Sequence, residues 1–117
     1  MAIIDKKTFT IRIGNDFYKL LQITLDGTNP IDLTDYSFKM QIRGCKSDPN
    51  VIQELVSPST IDISDAENGN IILTLSGAVT SALEERNAVY DLQWTTNLGK
   101  VETILEGNIK ILETVTK

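Results

Sequence analysis

Apolar and polar residues alternate along this chain in short runs. In Tyr36–Arg43, Tyr36, Phe38, Met40 and Ile42 fall on one side, and Ser37, Lys39, Gln41 and Arg43 on the other. That period of two predicts a strand buried on one face. Ala88–Thr95 repeats it, setting Tyr90, Leu92 and Trp94 against Val89, Asp91 and Gln93. Thr8–Ile13 places Phe9, Ile11 and Ile13 inward. Phe17–Leu25 is a further predicted strand, with Phe17, Leu21, Ile23 and Leu25 inward and Lys19 out of step. Ile71–Leu75 is apolar on both faces, which suits a central strand.

Shorter signals complete the pattern. Ile31–Thr34 reads as an extended piece. Val51–Val56 and Thr60–Ile63 are predicted strands parted by Ser57-Pro58-Ser59, where Pro58 has no N–H to give a ladder and marks an edge or a break. Lys100–Ile111 is the last strand, with a bulge or kink expected at Gly107. Turn-forming residues lie at Gly14–Asp16, Asp26–Pro30, Gly44–Asn50, Asp65–Asn70 and Thr96–Gly99. Ser76–Glu85 is the one helical candidate: Ser76 can cap it, and Val79 and Leu83 at i, i+4 can seat it on a core. About eight strands with turns every ~8–12 residues predict an all-β, antiparallel β-sandwich with Greek-key-like connections and one short helical turn.

At 117 residues the chain is expected to form a single domain, residues 1–117, and its 41% hydrophobic and 23% charged content is that of a folded protein. The net charge is -5, and of the eleven basic residues only Lys6 and Lys7 are adjacent. Nucleic-acid binding needs clustered cations, so no such partner is expected. No apolar run reaches the ~18–20 residues that span a bilayer, and no membrane partner is expected. Met1–Lys7 is too short and polar for a signal peptide, which predicts a protein made and kept in a cytoplasm until assembly. Cys45 is the single cysteine, so no internal disulfide is available.

Histidine is absent. Ser-His-Asp and Cys-His arrangements therefore cannot be built, and a zinc site lacks its usual ligands. Cys45 lies near Arg43 and Lys46, but no base or orienting partner accompanies it. Glu84-Glu85, Glu102/Glu106 and Asp62/Asp65/Glu67 are the carboxylate groupings to test for acid–base work, with alternation placing Glu102 and Glu106 on one strand face. Asp62–Asn70 resembles a calcium loop only in passing, because its oxygen ligands and Gly are misplaced. Gly27, Gly44, Gly69 and Gly99 are isolated turn glycines rather than a phosphate loop. Phe9, Phe17, Tyr36, Phe38, Tyr90 and Trp94 fall on strand faces as core residues. No catalytic, cofactor-binding or metal-binding residue is assigned, no cofactor is expected, and the chain is read as no enzyme.

One resemblance rests on a series of landmarks: Ile31-Asp32-Leu33-Thr34-Asp35-Tyr36, Phe38–Arg43, an Asp/Gly turn before Ile71–Ser76, Thr80-Ser81-Ala82-Leu83, Val89-Tyr90-Asp91-Leu92, a Gly turn, and Leu105–Ile111 ending near Glu113–Lys117. In this order, over roughly three quarters of the chain, they resemble a family of small tailed-phage virion proteins. They are similar to the N-terminal immunoglobulin-like domain of phage baseplate upper proteins. The loop Gly44–Asn50, with Cys45 and Pro49, departs from the simple turn of that family. The resemblance implies an immunoglobulin-like sandwich in a bacteriophage virion, a structural protein of the viral tail, baseplate or tail fibre attachment. Its implied partners are other phage structural proteins, as a homo-oligomer or docked on an oligomeric ring. Capsid decoration and a soluble carbohydrate-binding module are the alternatives. Two expectations accompany it. Tyr90 suits a tyrosine corner, its hydroxyl bonding a nearby backbone group, with Leu92 and Trp94 in a core without a disulfide. An edge strand, Thr8–Ile13 or the segment near Pro58, would pair with a partner.

Overall fold

The computed structural model describes residues 5–24 and 29–115. The expected inward Leu25 and most of the Asp26–Pro30 reversal lie outside them. Among the described residues nine strands follow in order: β1 (Asp5–Lys6), β2 (Phe9–Arg12), β3 (Phe17–Gln22), β4 (Ser37–Arg43), β5 (Val51–Val56), β6 (Ile61–Asp62), β7 (Asn70–Leu75), β8 (Arg86–Thr95) and β9 (Val101–Leu112). A single helical turn, α1 (Gly77–Thr80), joins β7 to β8, and a 3-10 turn covers Ala66–Asn68.

The strands form two sheets. One has the order β1-β9-β8-β4-β5, with β2 also on β9; the other has the order β3-β7-β6. All pairings are antiparallel except those of β1 and β2, which run parallel to β9. This is the immunoglobulin-like arrangement: β4, β8 and β9 stand as strands C, F and G, with β5 added beside C, and β3, β7 and β6 stand as B, E and D. The chain is an immunoglobulin-like antiparallel β-sandwich.

The predicted alternation sets the core. Phe38, Met40 and Ile42 of β4 and Tyr90, Leu92 and Trp94 of β8 are buried, as are Phe9, Ile11, Phe17, Leu21, Ile71, Leu73, Leu75, Ile109 and Ile111. Met40, Ile42 and Leu92 lose all exposure. Burying a side chain of this size stabilises by roughly 1.5–3 kcal/mol, and no disulfide links the sheets.

Three local expectations are corrected. The strand at Phe17 ends at Gln22 rather than Leu25. The helix is four residues long, not ten, because i→i−3 bonds from Ala82 to Val79 (3.2 Å) and from Leu83 to Thr80 (3.0 Å) tighten and end it. Its Ser76 cap forms as expected, with Oγ accepting from the Val79 N–H at 3.3 Å, and Val79 and Leu83 pack on the core. Gly107 is no bulge. The extra residue in β9 is Ile104, between the pairs Leu92–Leu105 and Gln93–Thr103, and Ile104 and Leu105 are buried in succession.

That bulge has a consequence for chemistry. Cross-strand partners share a face. Glu102 pairs with core-facing Trp94, whereas Glu106 pairs with outward-facing Asp91. The two glutamates expected on one face are on opposite faces, because one inserted residue reverses a period of two.

Candidate binding surfaces

The other carboxylates hold turns together. Asp62 accepts from the Ser64 N–H (2.8 Å), and Asp65 accepts from Asn68 Nδ2 (2.7 Å) and Asn70 Nδ2 (2.6 Å). These bonds hold both aspartates below the usual carboxylate range. Glu85 accepts the backbone N–H of Glu113 at 3.0 Å. Among the described residues, no group of three or more Cys, Asp or Glu side chains is placed to hold a metal ion. Cys45 is exposed, and its thiol is lowered by the Ser47 hydroxyl 3.5 Å away.

The outer face of the larger sheet is the most organised polar surface. One row crosses four strands as Glu54, Gln41, Asp91 and Glu106. Lys39 and Arg43 flank it on β4, two residues either side of Gln41. Gln41 Nε2 donates to Glu54 at 2.6 Å, and Arg43 donates to Gln41 Oε1 at 2.8 Å and to the Asp48 carbonyl at 2.6 Å. Lys46 reaches Glu106 at 3.6 Å. Lys39, Gln41, Arg43, Lys46, Asp91 and Glu106 line a shallow depression of about 570 Å³. Adjacent carboxylates at Asp91 and Glu106 repel, so a cation or a partner's donors would be favoured above them.

A second feature binds the chain's start to its end. The Lys7 N–H donates to the Glu106 carbonyl at 3.2 Å, and the Lys7 carbonyl accepts from the Tyr90 hydroxyl at 2.8 Å. The carbonyl lies so close over β9 that a Cβ on Gly107 would stand 2.1 Å from it. The tyrosine corner expected to close on a nearby backbone group instead closes on one 83 positions away. Tyr90 was visible in the alternation; its acceptor was not, because it belongs to the opposite end of the chain.

The loop end beside the β8–β9 turn is more apolar. Tyr36 meets Trp94 edge to face at 5.2 Å, and Pro30, Ile31 and Leu98 lie around them. Leu98 is 91% exposed. Trp94 Nε1 donates to Glu102 at 3.2 Å, which holds that carboxyl below its usual range, with Lys100 a smaller contributor.

The aromatics expected in the core are there: Phe9, Phe17, Phe38, Tyr90 and Trp94 are buried and Tyr36 is packed against them. Tyr18 differs, being 66% exposed on β3 beside Leu20 at 55%. The signal in the sequence was Lys19, whose place out of step in an inward series marks this strand as incompletely covered.

No protein-family model matches the chain, and no curated protein matches it. Among solved structures it is similar to a chain of the crystal structure of ICOS in complex with ICOS-L and an anti-ICOS-L VNAR domain. That likeness has 11% identity and a TM-score of 0.47, over 93% of this chain and 55% of that one, so this chain spans little more than half of it. It is also similar to murine CRIg, at 14% identity and a TM-score of 0.41, over 92% of each.

Proposed function

We propose that this protein is a non-enzymatic contact module, a structural component of a tailed-phage virion that acts as an adaptor at the tail, baseplate or fibre attachment. The observation that carries the contact role is the outer face of β4, β8 and β9. On it Arg43 is held by the Gln41 side chain and by the Asp48 carbonyl of the adjoining loop, Gln41 is held by Glu54, and Glu106 by Lys46, so this part of the surface is ordered before any partner arrives. The virion setting is supported by the landmarks from Ile31–Tyr36 to Leu105–Ile111, which resemble the phage family. Repeated, symmetric copies or an oligomeric ring are the partners such a surface would serve.

Mass spectrometry and cryo-electron microscopy of purified particles test the proposal. The expected result is this chain at stoichiometric abundance in density at the tail. Its absence from clean particles would sink the virion role, and density on the capsid would move it to decoration. The contact role is tested with Asp91→Lys, which should leave the melting temperature within about 2 °C and lower incorporation into particles. Unchanged incorporation would remove this face from the interface.

A further inference from the structure

The backbone directions along β3 can be read from its neighbours. In the β3–β7 pair, Tyr18 faces Thr74 and Gln22 faces Asn70. The Thr74 N–H turns away to the Thr60 carbonyl at 2.9 Å, and the Asn70 N–H turns away to the Asp65 carbonyl at 3.3 Å. Both pairs are therefore the non-hydrogen-bonded kind. Beyond the strand, the Ile23 N–H points the other way, to the Gly69 carbonyl at 2.8 Å. Tyr18, Leu20 and Gln22 thus direct their N–H and C=O groups to the edge of the sheet, where no described strand pairs with them.

Another edge is blunted by its own chain. On β5, the Val56 N–H donates to Thr60 Oγ1 (2.8 Å), the Val56 carbonyl accepts from the Thr60 N–H (2.9 Å), and Gln53 Nε2 donates to the Glu54 carbonyl (3.2 Å). The β3 edge has no such cap among the described residues. The place beside it is where constant-type immunoglobulin sandwiches carry strand A, in the order A-B-E-D. Here β1 and β2 lie on β9 instead. Between β2 and β3 a groove of about 510 Å³ remains, floored by Phe9 and Phe17 and bordered by Arg12, Asp16, Tyr18 and Lys19, with Asp16 engaged by the Gly77 N–H at 2.7 Å.

Charge selects the occupant. In a protein of net charge -5, Arg12 and Lys19 border this groove without an ion-pair partner among the described residues. Lys19 Nζ stands 6.0 Å above the Phe9 ring. On β3, Lys19 lies on the core-ward side, with Tyr18 and Leu20 on the outer side. A second copy docked through the same edge would bring two Lys19 and two Arg12 together, and like charges oppose that pairing.

We propose that the groove between β2 and β3 receives an extended strand of another protein in which acidic and apolar residues alternate. Its backbone pairs with Tyr18, Leu20 and Gln22, its carboxylates face Lys19 and Arg12, and its apolar side chains lie along Tyr18 and Leu20. Six to eight residues match the ~20 Å length of β3. The inference stands on this edge alone and does not depend on the virion reading.

The test uses the full chain, labelled with nitrogen-15, and three blocked synthetic octapeptides. One alternates Glu and Val, one alternates Lys and Val, and one is the Glu/Val peptide with a central Pro. The Glu/Val peptide should shift the amides of Tyr18, Leu20 and Gln22 and slow their hydrogen exchange. The Lys/Val peptide should bind about tenfold more weakly, and the Pro peptide should lose the protection. The double variant Arg12→Glu, Lys19→Glu should reverse the preference for charge; if it fails to fold, the three peptides on the unaltered chain decide alone. No binding at millimolar Glu/Val peptide, equal binding of both charges, or shifts confined to the outer face of β4 and β8 would overturn the proposal. A chain already dimeric, with these amides protected before any peptide is added, would overturn it in favour of self-pairing.

Discussion

The Tyr90 hydroxyl donates to the Lys7 carbonyl at 2.8 Å, so the middle of β8 holds the junction between β1 and β2 against β9. Tyr90→Phe keeps the ring and its packing 5.0 Å from the Phe9 ring while deleting the bond. Lys7 is exposed, so water can replace the donor, and the loss should be about 0.5–1.5 kcal/mol. Urea denaturation measures it. Faster amide exchange confined to residues 5–12 should accompany it; a uniform change across the core would show that the bond is not a local tether.

Gly107→Ala tests the other half of that contact. A methyl group 2.1 Å from the Lys7 carbonyl oxygen cannot be accommodated unless the β1–β2 junction moves off β9. Overpacking of this kind costs typically 1–3 kcal/mol. The double variant with Tyr90→Phe should cost less than the sum of the single changes, because both disrupt one junction. Strict additivity would contradict this account.

Thr80 is fully buried, and its Oγ1 accepts from the Gly14 N–H (3.0 Å) and donates to the Asn15 carbonyl (2.8 Å). It fastens the turn between β2 and β3 to α1. Thr80→Val keeps the shape and strands a backbone N–H, so a loss of about 1–3 kcal/mol is expected, with Thr80→Ser recovering much of it. Thermal unfolding of the two variants decides; equal melting temperatures would refute the role of the hydroxyl.

Glu102 has its carboxyl lowered, first by the Trp94 indole N–H. A group depressed in the folded state adds stability above its unfolded pKa, about 4.3 for Glu, and that stability is lost as pH falls through the folded value. Stability should therefore decline on acidification below about pH 4.3, and Glu102→Gln should flatten part of that decline. Trp94 is the only tryptophan, so its fluorescence reports the transition directly. An unchanged acid limb in the variant would rule out this coupling.

Legibility in the sequence followed the range of each interaction. Alternation in Tyr36–Arg43 and Ala88–Thr95 is a local property, and it specified both the strands and their buried faces. The Ser76 cap was legible for the same reason, since its partner lies three residues away. The extent of α1 was not, because i→i−3 bonds ended it within a segment whose apolar spacing continued. The separation of Glu102 from Glu106 was hidden by Ile104, a bulge that no local residue type announces.

By itself, then, the sequence determined an all-β chain with a two-sided strand pattern, turns at Gly, Asn and Asp, and no histidine for nucleophilic or zinc chemistry. Only the tertiary structure decided that Lys7 would be the acceptor for Tyr90, that Asp91 and Glu106 would share a row with Glu54, and that β3 would keep an open edge. Each of these depends on which strands become neighbours. Alternation specifies which face of a strand is buried, because that depends on its own residues. It does not specify what lies beside the strand, because the bonds that join neighbours are made by backbone groups common to every residue except proline.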